Sequence, residues 1–290
     1  MAPPSPTNQA AVRKLVSTHL FRRQRLGPAQ LDRLLAAGLD GVELFCARPS
    51  FDYHDRSQMA DLAAWFRDHP LPLHSLHSPI YADEKEGRSG EPPINIADPD
   101  PRRRLEALDE VQRALEFSER VPFRYLVQHL GPSKVEWDLR VADHALTSLE
   151  RIRLLAKQAG VAVLVENIPN GLSMPVRLLA FLEASHLDDV GICFDAGHAH
   201  LPEFLFGGGG VAAAWDLLAP RVRSTHLHDN QGGKDDHLWP GEGTIPWDQL
   251  APRLAAAGPD LPWLLEVRDP GEGDLAAKLR AAFERLAPAG

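Results

Sequence analysis

The chain has 290 residues, of which 44% are hydrophobic, so it is long enough to bury one large core. Its 40 acidic and 31 basic residues give a formal net charge of -9, which repels polyanions and disfavours, without excluding, a nucleic-acid partner. No apolar run approaches the roughly 18 residues that a membrane-spanning helix needs, and the amino terminus has no apolar leader. We therefore expect a cytoplasmic protein without a membrane partner, folded as a single domain over residues 1–290 with a flexible tail at 1–12.

Short β-type runs alternate along the chain with longer segments that repeat apolar residues every three or four positions, the period of an α-helix. The predicted strands lie at 15–21, 41–46, 72–79, 125–131, 162–168, 190–198, 222–230 and 263–269. Predicted helices include 28–38, 102–121 and 138–160. Gly38 and Gly160 close two of these helices, where a left-handed cap favours glycine. Strands joined by helical crossovers run parallel, so the pattern predicts the α/β class and a single (β/α)8 TIM barrel.

An open doubly wound sheet is the alternative architecture, but no glycine fingerprint follows the first strand, and the strand count suits closure. Residues 81–101 are charged and rich in proline, so we expect a long loop over the barrel mouth, although a solvated excursion explains the same composition. Residues 204–211 carry four glycines without the Lys and Ser or Thr of a phosphate loop, so we expect a flexible hinge or loop. Cys46 and Cys193 lie in apolar segments and are interpreted as buried thiols.

Nearly every predicted strand ends in a side chain of a type that binds metals. The set is His19, Glu43, His77, His129, Glu166, Asp195, His198, His226, His228 and Glu266. The carboxyl ends of the strands in such a barrel meet at one mouth, where the active sites of these barrels lie. Burying so many ionisable groups without a counter-charge would cost several kcal/mol for each group. A divalent cation is the simplest compensation, so the sequence predicts a metal site at the mouth.

Local spacing separates candidate ligands from supporting residues. Asp195 and His198 lie one helical turn apart, and we expect Gly197 between them to let the backbone bend. His226 and His228 are two apart and point to the same side of a strand, so only one of them needs to bind metal. The residues predicted to orient a ligand or contact substrate are His19, Glu43, His200, His228, Asp229, Trp239 and Glu242. For Trp239, packing beneath the loop is an equally good explanation.

Four motifs resemble those of the xylose isomerase-like barrel superfamily. This superfamily includes sugar isomerases, ketose 3-epimerases, inosose dehydratases and endonuclease IV-type apurinic endonucleases. The motifs are LVENI at 164–168, CFDAGHAHL at 193–201, HLHDNQGGKDDHLWPGEGTI at 226–245 and LLEV at 264–267. The resemblance covers almost the whole chain, and its specificity comes from the four motifs together.

The ketose epimerase branch holds one divalent ion, and the resemblance implies that its ligands here are Glu166, Asp195, His226 and Glu266. It also implies that Glu166 and Glu266 flank a bound ketose, one removing a proton next to the carbonyl and the other returning a proton on the opposite face. The metal would polarise the carbonyl, and His198 would bond a substrate oxygen. A single carboxylate-rich site of this kind suits Mn, Mg or Co.

The endonuclease IV branch instead uses a cluster of zinc ions with more ligands. The matching positions here are His77, His129, Glu166, Asp195, His198, His226, Asp235, His237 and Glu266, and every residue type agrees. This match keeps open a multinuclear zinc phosphoester hydrolase. The acidic charge, and the scarcity of basic clusters beyond 22–25 and 102–104, argue against a DNA substrate.

The resemblance therefore implies a divalent-metal-dependent isomerase or epimerase that acts on a small sugar or sugar phosphate by proton transfer next to a carbonyl. The zinc phosphoester hydrolase is the alternative. A phosphorylated substrate would need a cation near the site, for which Arg22, Arg23 and Arg268 are the candidates. No exposed apolar face can be read from the sequence, so the oligomeric state stays open.

Overall fold

A computed structural model describes residues 12–88, 90–202, 210–269 and 271–287. The strands are β1 (Lys14–Ser17), β2 (Gly41–Phe45), β3 (Leu73–His77), β4 (Tyr125–Gln128), β5 (Ala162–Glu166), β6 (Gly191–Asp195), β7 (Val222–His226) and β8 (Trp263–Leu265). The α-helices are α1 (Pro28–Ala36), α2 (Arg56–Asp68), α3 (Pro101–Leu115), α4 (Leu139–Gln158), α5 (Pro175–Ala184), α6 (Ala196–Ala199), α7 (Gly210–Leu218), α8 (Trp247–Ala256) and α9 (Leu275–Leu286).

The strands pair in parallel in the order β7-β6-β5-β4-β3-β2-β1-β8. The two ends of this order meet, because the backbone nitrogen of Leu227, just after β7, donates to the carbonyl oxygen of Leu264 at 2.8 Å. The nitrogen of Glu266 donates in turn to the carbonyl oxygen of Leu227 at 3.2 Å. The sheet therefore closes into a nearly complete barrel. This confirms the predicted α/β class and (β/α)8 architecture and excludes the open sheet.

The strands are shorter than predicted, because their polar ends leave the sheet and enter the loops at the mouth. Strand β1 ends at Ser17, and a 3-10 helix at Thr18–Phe21 carries His19. Strand β7 ends at His226, so His228 lies in the following loop. These side chains therefore lie at or beyond the last ladder hydrogen bonds, where they can face a cavity.

Glycine ends two helices as predicted. Gly38 and Gly160, just after α1 and α4, have φ values of 73° and 72°, the left-handed region in which a Cβ atom is unfavourable. The predicted helix 102–121 is too long, because α3 ends at Leu115 and a 3-10 helix covers Glu116–Glu119. The chain therefore changes from an α-helix to a tighter 3-10 helix before it enters β4.

Most apolar side chains form one large core cluster that includes residues of the strands and the helices. A smaller buried cluster joins Tyr125, Val127, Leu164 and Cys193 of β4, β5 and β6. Cys46 and Cys193 are buried and unpaired, which confirms the interpretation of both as buried thiols. Burial raises the pKa of each thiol above its ordinary value, so both stay neutral.

Parts of two predicted flexible segments lie outside the described residues. These parts are 1–11 of the predicted tail and 204–209 of the predicted hinge. The last two residues of the hinge, Gly210 and Val211, begin α7, so the hinge prediction is wrong for them. No helix in the described ranges is both long and apolar enough to cross a membrane.

Candidate functional site

A cavity of about 370 Å³ opens at the carboxyl ends of the strands. The predicted site residues that line it are His19, His77, His129, Glu166, His198, Asp235, His237 and Glu266. Tyr81, Glu86 and Pro93 of the 81–101 loop form part of the wall, which agrees with the expected loop at the mouth. Further predicted residues are fully buried among these side chains: Glu43, Asp195, His226 and His228. The fold thus gathers polar residues from most of its strands at one place.

Glu166, the last residue of β5, lies at the centre of the cluster and is almost completely buried. Its Oε2 atom lies 3.2 Å from His129 Nε2, 3.4 Å from His77 Nε2 and 3.3 Å from His226 Nδ1. Its Oε1 atom lies 3.1 Å from His198 Nδ1. Burial alone would raise the pKa of Glu166, but the neighbouring His226 and His129 hold it well below its ordinary value. Glu166 is therefore an ionised carboxylate that faces four histidines.

His77 and His237 each have one ring nitrogen fixed by a backbone carbonyl. Nδ1 of His77 lies 2.8 Å from the carbonyl oxygen of the next residue, and Nδ1 of His237 lies 2.9 Å from that of Glu266. A ring nitrogen in such a contact donates its proton, so Nε2 of the neutral ring keeps a lone pair. Nevertheless, Nε2 of His77 faces Glu166, and Nε2 of His237 lies 2.9 Å from Asp235 Oδ2. Two acceptors face each other in both pairs, an arrangement that a metal ion or an additional proton resolves.

His226, at the end of β7, also has one ring nitrogen fixed by a neighbour, which in this case is a carboxylate. Its Nε2 atom lies 3.1 Å from Glu43 Oε1. Its Nδ1 atom is buried without a hydrogen bond to any described residue. Nδ1 lies 3.3 Å from Glu166, 3.5 Å from Glu266 and 3.9 Å from Asp195, measured to the nearest carboxylate oxygen. A histidine oriented by a carboxylate on one nitrogen and open on the other is typical of a metal ligand, so these residues fit a divalent ion at Nδ1.

The neighbouring charges favour a positive charge on the rings of His226 and His77. Burial alone would lower the pKa of His226, but the carboxylates of Glu266 and Glu43, among others, raise it well above its ordinary value. Burial also opposes protonation of His77, and Glu166 outweighs it, so the pKa of His77 is raised. A bound cation offers the same compensation as these protons, and metal binding would therefore release protons.

Asp195 ends β6 and caps the short helix α6. Its Oδ1 atom accepts a hydrogen bond from the backbone nitrogen of His198 at 2.6 Å, and its Oδ2 atom lies 3.1 Å from His228 Nε2. The side chain of Asn167 donates to the backbone carbonyl of Asp195 at 2.8 Å and accepts from its nitrogen at 2.9 Å. Asn167 is absent from the predicted set, and its position directly after Glu166 is the signal that marks it.

Gly197 is required for close packing rather than for a bend. Its backbone does not lie in the left-handed region, so no glycine-specific conformation is needed there. A Cβ atom at this position would lie 1.9 Å from Cε1 of His228. The predicted bending role is therefore wrong, and the requirement for glycine is steric.

A second group of ligand-type side chains lies beside His198. The ligand atoms of His228, Asp235 and His237 lie within 4.8 Å of one another, and Asp235 Oδ2 is 3.6 Å from His198 Nε2. Burial would raise the pKa of Asp235, but His237 and His198 hold it well below its ordinary value. His228, predicted only to orient a ligand or contact substrate, therefore lies among the candidate ligands.

His19 lines the cavity beside this second group. Its ring centroid lies 4.4 Å from that of His237, and its Nε2 atom lies 3.1 Å from Arg22 Nη1. Burial, followed by His237 and Arg22, lowers the pKa of His19 well below its ordinary value. His19 is thus a neutral ring whose Nε2 accepts from the guanidinium group, which suits the predicted role of orienting a neighbour or contacting substrate.

Asp229 does not line the cavity and instead fixes the loop that follows it. Its carboxylate accepts hydrogen bonds from the backbone nitrogens of Gly241 at 2.8 Å and Ile245 at 3.1 Å, and from Trp247 Nε1 at 2.8 Å. Gly243 lies so close that a Cβ atom there would be 2.3 Å from Asp229 Oδ1. The predicted role of Asp229 beside a ligand or substrate is therefore replaced by a structural one.

Three other predicted residues also lie away from the described lining of the cavity. Trp239 is buried with the Lys278 ammonium 5.9 Å from its ring centroid, which favours packing beneath the loop. Glu242 is exposed and accepts a hydrogen bond from the backbone nitrogen of Trp239 at 3.3 Å. His200 Nε2 lies 2.9 Å from Thr244 Oγ1. Their contacts stabilise the loop after β7 and give no support for substrate contacts.

Substitution of Glu43 tests the orientation of His226. Glu43 is fixed by Ser75, whose hydroxyl donates to Oε2 at 2.7 Å. We expect Glu43→Gln to weaken divalent-metal binding about 10- to 100-fold, because the amide removes the charge that holds the ring. Metal titration against a chelating dye measures the affinity, with Glu150→Gln on the exposed face of α4 as the matched control. Equal affinities in the two variants would contradict the role assigned to Glu43.

Comparison with known proteins agrees with this architecture. The family model described as xylose isomerase-like TIM barrel matches residues 31–288. An uncharacterized protein of Sinorhizobium fredii, y4fM, is 36% identical over 150 residues, covering 45% of this chain and 46% of that protein. Fructoselysine 3-epimerase of Escherichia coli O157:H7 is 24% identical over 229 residues, covering 73% of this chain and 75% of the epimerase. The match to the Sinorhizobium protein therefore spans about half of its length.

Solved structures share the fold at low sequence identity. The crystal structure of a D-tagatose 3-epimerase-like protein has a TM-score of 0.73 and 22% identity, with 95% of this chain and 97% of the other covered. The IolI protein with a bound zinc atom has a TM-score of 0.71 and 17% identity, with 94% and 96% covered. At these identities the likeness establishes the fold alone.

Proposed function

This chain belongs to the xylose isomerase-like TIM barrel family, and from that premise we propose that it is a divalent-metal-dependent isomerase or epimerase. Its substrate is a small sugar or sugar phosphate, and the reaction is proton transfer next to a carbonyl. The observation that carries this proposal is the buried Nδ1 atom of His226, which lacks a hydrogen bond and faces the carboxylates of Glu166, Asp195 and Glu266. The fructoselysine 3-epimerase relative supports the same reaction class.

The donor set around His226 is one imidazole nitrogen with three carboxylates, which suits Mn, Mg or Co when a single ion binds. When bound, such an ion would polarise the carbonyl of the substrate. The zinc atom in the IolI structure supports metal binding on this fold.

Glu166 and Glu266 are the two candidate bases. Both line the cavity. Glu166 ends β5 and Glu266 follows β8, and strands β6 and β7 lie between these two strands in the barrel. The two carboxylates therefore approach a ligand from different sides of the barrel. One can take a proton from the carbon next to the carbonyl while the other returns a proton to the opposite face. The low pKa of Glu166 keeps it ionised, which is the form in which a carboxylate accepts a proton.

His198 is placed to hold a substrate oxygen. Burial would lower its pKa, but Asp195 and Asp235 raise it well above its ordinary value, so the ring is a hydrogen-bond donor. The apolar side chains of Phe45 and Ile168 form part of the cavity wall and limit access of water to the reacting atoms. A volume of about 370 Å³ falls within the range of small-molecule sites, roughly 300–1,000 Å³, and suits a monosaccharide.

A multinuclear zinc phosphoester hydrolase is the second candidate function. The observation that favours it is the presence of two further ligand groups beside the single-ion site. One adds His77 and His129 to Glu166, and the other consists of His228, Asp235 and His237. Two features favour the epimerase instead. The net charge of -9 opposes binding of a polyanion. In addition, residues of the 81–101 loop form part of the wall of the cavity.

The metal content of protein purified without chelator tests the two candidates, with anomalous scattering to place each ion. We expect about one Mn, Co or Mg ion per chain at His226, and incorporation of deuterium from D2O next to the carbonyl of ketoses. His237→Ala should keep that ion and the exchange activity. More than one zinc ion per chain, with an ion and the activity lost in His237→Ala, would overturn the proposal in favour of the hydrolase.

A further inference from the structure

Two arginines lie at the cavity on the side of β1 and β8. Arg22 follows β1 and Arg268 follows β8, and these strands are neighbours in the barrel. Both side chains line the same cavity as Glu166 and Glu266. Arg268 and Arg23, the third cation predicted for a phosphorylated substrate, are both exposed, but only Arg268 lines the cavity. Two guanidinium groups therefore line the mouth among its acidic and histidine side chains.

The two guanidinium groups differ in their contacts. Arg22 is held on both sides, because its Nη1 atom lies 3.1 Å from His19 Nε2 and its Nη2 atom donates to Glu86 Oε1 at 3.0 Å. The side chain of Arg268 makes no hydrogen bond or ion pair with another residue of the described ranges, while its backbone nitrogen donates to the His237 carbonyl at 2.8 Å. Arg268 is thus fixed at its backbone and has an uncommitted planar donor group at the cavity.

Two guanidinium groups that line the same cavity repel each other. An oxyanion bound by both arginines would relieve this repulsion, and a guanidinium group matches phosphate or carboxylate with paired hydrogen bonds.

We propose that Arg22 and Arg268 form a subsite for an oxyanion of the substrate, a phosphate or a carboxylate, so that the sugar isomerised here is anionic. This inference rests on the proposed function, because it assigns the substrate class of the same cavity. Glu86 of the 81–101 loop already places a carboxylate on Arg22 and marks where such a group binds. The substrate oxyanion competes with Glu86 for Arg22.

Calorimetric binding to the metal-loaded protein tests the subsite with three ketoses that differ at one carbon: D-fructose, D-fructose 6-phosphate and D-fructuronate. We expect at least one anionic ketose to bind about tenfold more tightly than D-fructose, the scale of one charge-assisted hydrogen bond. Arg268→Gln should remove that advantage, so that the anionic ketose binds no more tightly than D-fructose. Arg268→Lys should keep part of the advantage. The anion with the larger advantage in the unmodified protein identifies the oxyanion.

Two further variants sharpen this test. Glu86→Gln removes the competing carboxylate and should tighten binding of the anionic ketose about threefold, the scale of one partly exposed ion pair. Arg280→Gln, an equal change of charge on the exposed face of α9, should leave all three affinities unchanged. Equal binding of the three ketoses by the unmodified protein, or the same loss in Arg268→Gln and Arg280→Gln, would overturn the subsite.

The experiments can reject the subsite and the proposed function independently of each other. Anion binding that depends on Arg268, without deuterium exchange into any ketose, would support the subsite and remove the isomerase function. Exchange into D-fructose with no preference for either anionic ketose would support the function and remove the subsite. Direct binding of phosphate to a metal ion is distinguished as well, because Arg268→Gln would not reduce it.

Discussion

Glu166→Gln is expected to reduce deuterium exchange into the ketose substrate by a factor on the order of a thousand or more, since one acid–base group contributes about 10²–10⁴-fold. The amide cannot accept the substrate proton. It also removes the negative charge that faces four histidine rings at 3.1–3.4 Å. The measurement is the initial rate of deuterium incorporation from D2O, followed by NMR with metal-saturated protein. We expect the barrel to stay folded, because the mouth of such a barrel carries function rather than core packing.

Glu150→Gln is the matched control, because it makes the same chemical change on an exposed position of α4. Its exchange rate should equal that of the unmodified protein. Exchange in Glu166→Gln at the same rate as in Glu150→Gln would contradict the assignment of Glu166 to the site. A collapse of thermal stability in Glu166→Gln would show that the residue holds the fold together, against the separation of site and core argued above.

The metal content of the Glu166→Gln protein distinguishes two roles of Glu166, that of a base and that of a metal ligand. Its Oε2 atom is shared among His77, His129 and His226, and its Oε1 atom faces His198. If Glu166 acts mainly as the base, Glu166→Gln keeps its ion and loses exchange. If it acts mainly as a ligand, the ion and the exchange are lost together. Both results fit the proposed site, and they separate its two chemical duties.

The barrel could be predicted from the sequence because each β/α unit carries its own periodic signal, and repetition of that signal leaves few closed architectures. The ends of the strands could not be predicted, because periodicity depends on residue type and not on hydrogen-bond register. The segment 15–21 has the composition of one strand, yet the ladder stops at Ser17 and the chain turns into a 3-10 helix. The closing contact between β7 and β8 depends on backbone hydrogen bonds at Leu227, which no side-chain pattern encodes.

The candidate ligands were predictable for a simple reason: a Glu or Asp at the end of an apolar strand is costly unless something compensates its charge. The supporting residues carry no such signal. His228 and Asp229 are adjacent polar residues, but side chains alternate in direction along an extended segment. His228 contacts Asp195 in the cluster, whereas Asp229 binds the loop that contains Gly241. The sequence shows that both are polar, and only the backbone direction decides which one belongs to the site.

Gly197→Ala is expected to destabilise the protein by about 3 kcal/mol, the upper end of the usual cost of overpacking. The added methyl group would lie 1.9 Å from the His228 ring. That ring has little freedom to retreat, because it is fully buried, lies 3.1 Å from Asp195 Oδ2 and stacks on His237 at a centroid distance of 4.1 Å. Urea denaturation measures the change in the free energy of unfolding.

Gly233→Ala is the matched control for this substitution, because a Cβ atom there meets nothing within 4 Å and its φ is not positive. It should change stability by no more than about 0.5 kcal/mol. The metal affinity should fall in Gly197→Ala and not in Gly233→Ala, since displacement of His228 removes a partner of Asp195. A Gly197→Ala protein with normal stability and normal metal affinity would show that His228 moves aside freely. In that case the contact between His228 and Asp195 would not position the candidate metal ligands, and the steric explanation of Gly197 would be wrong.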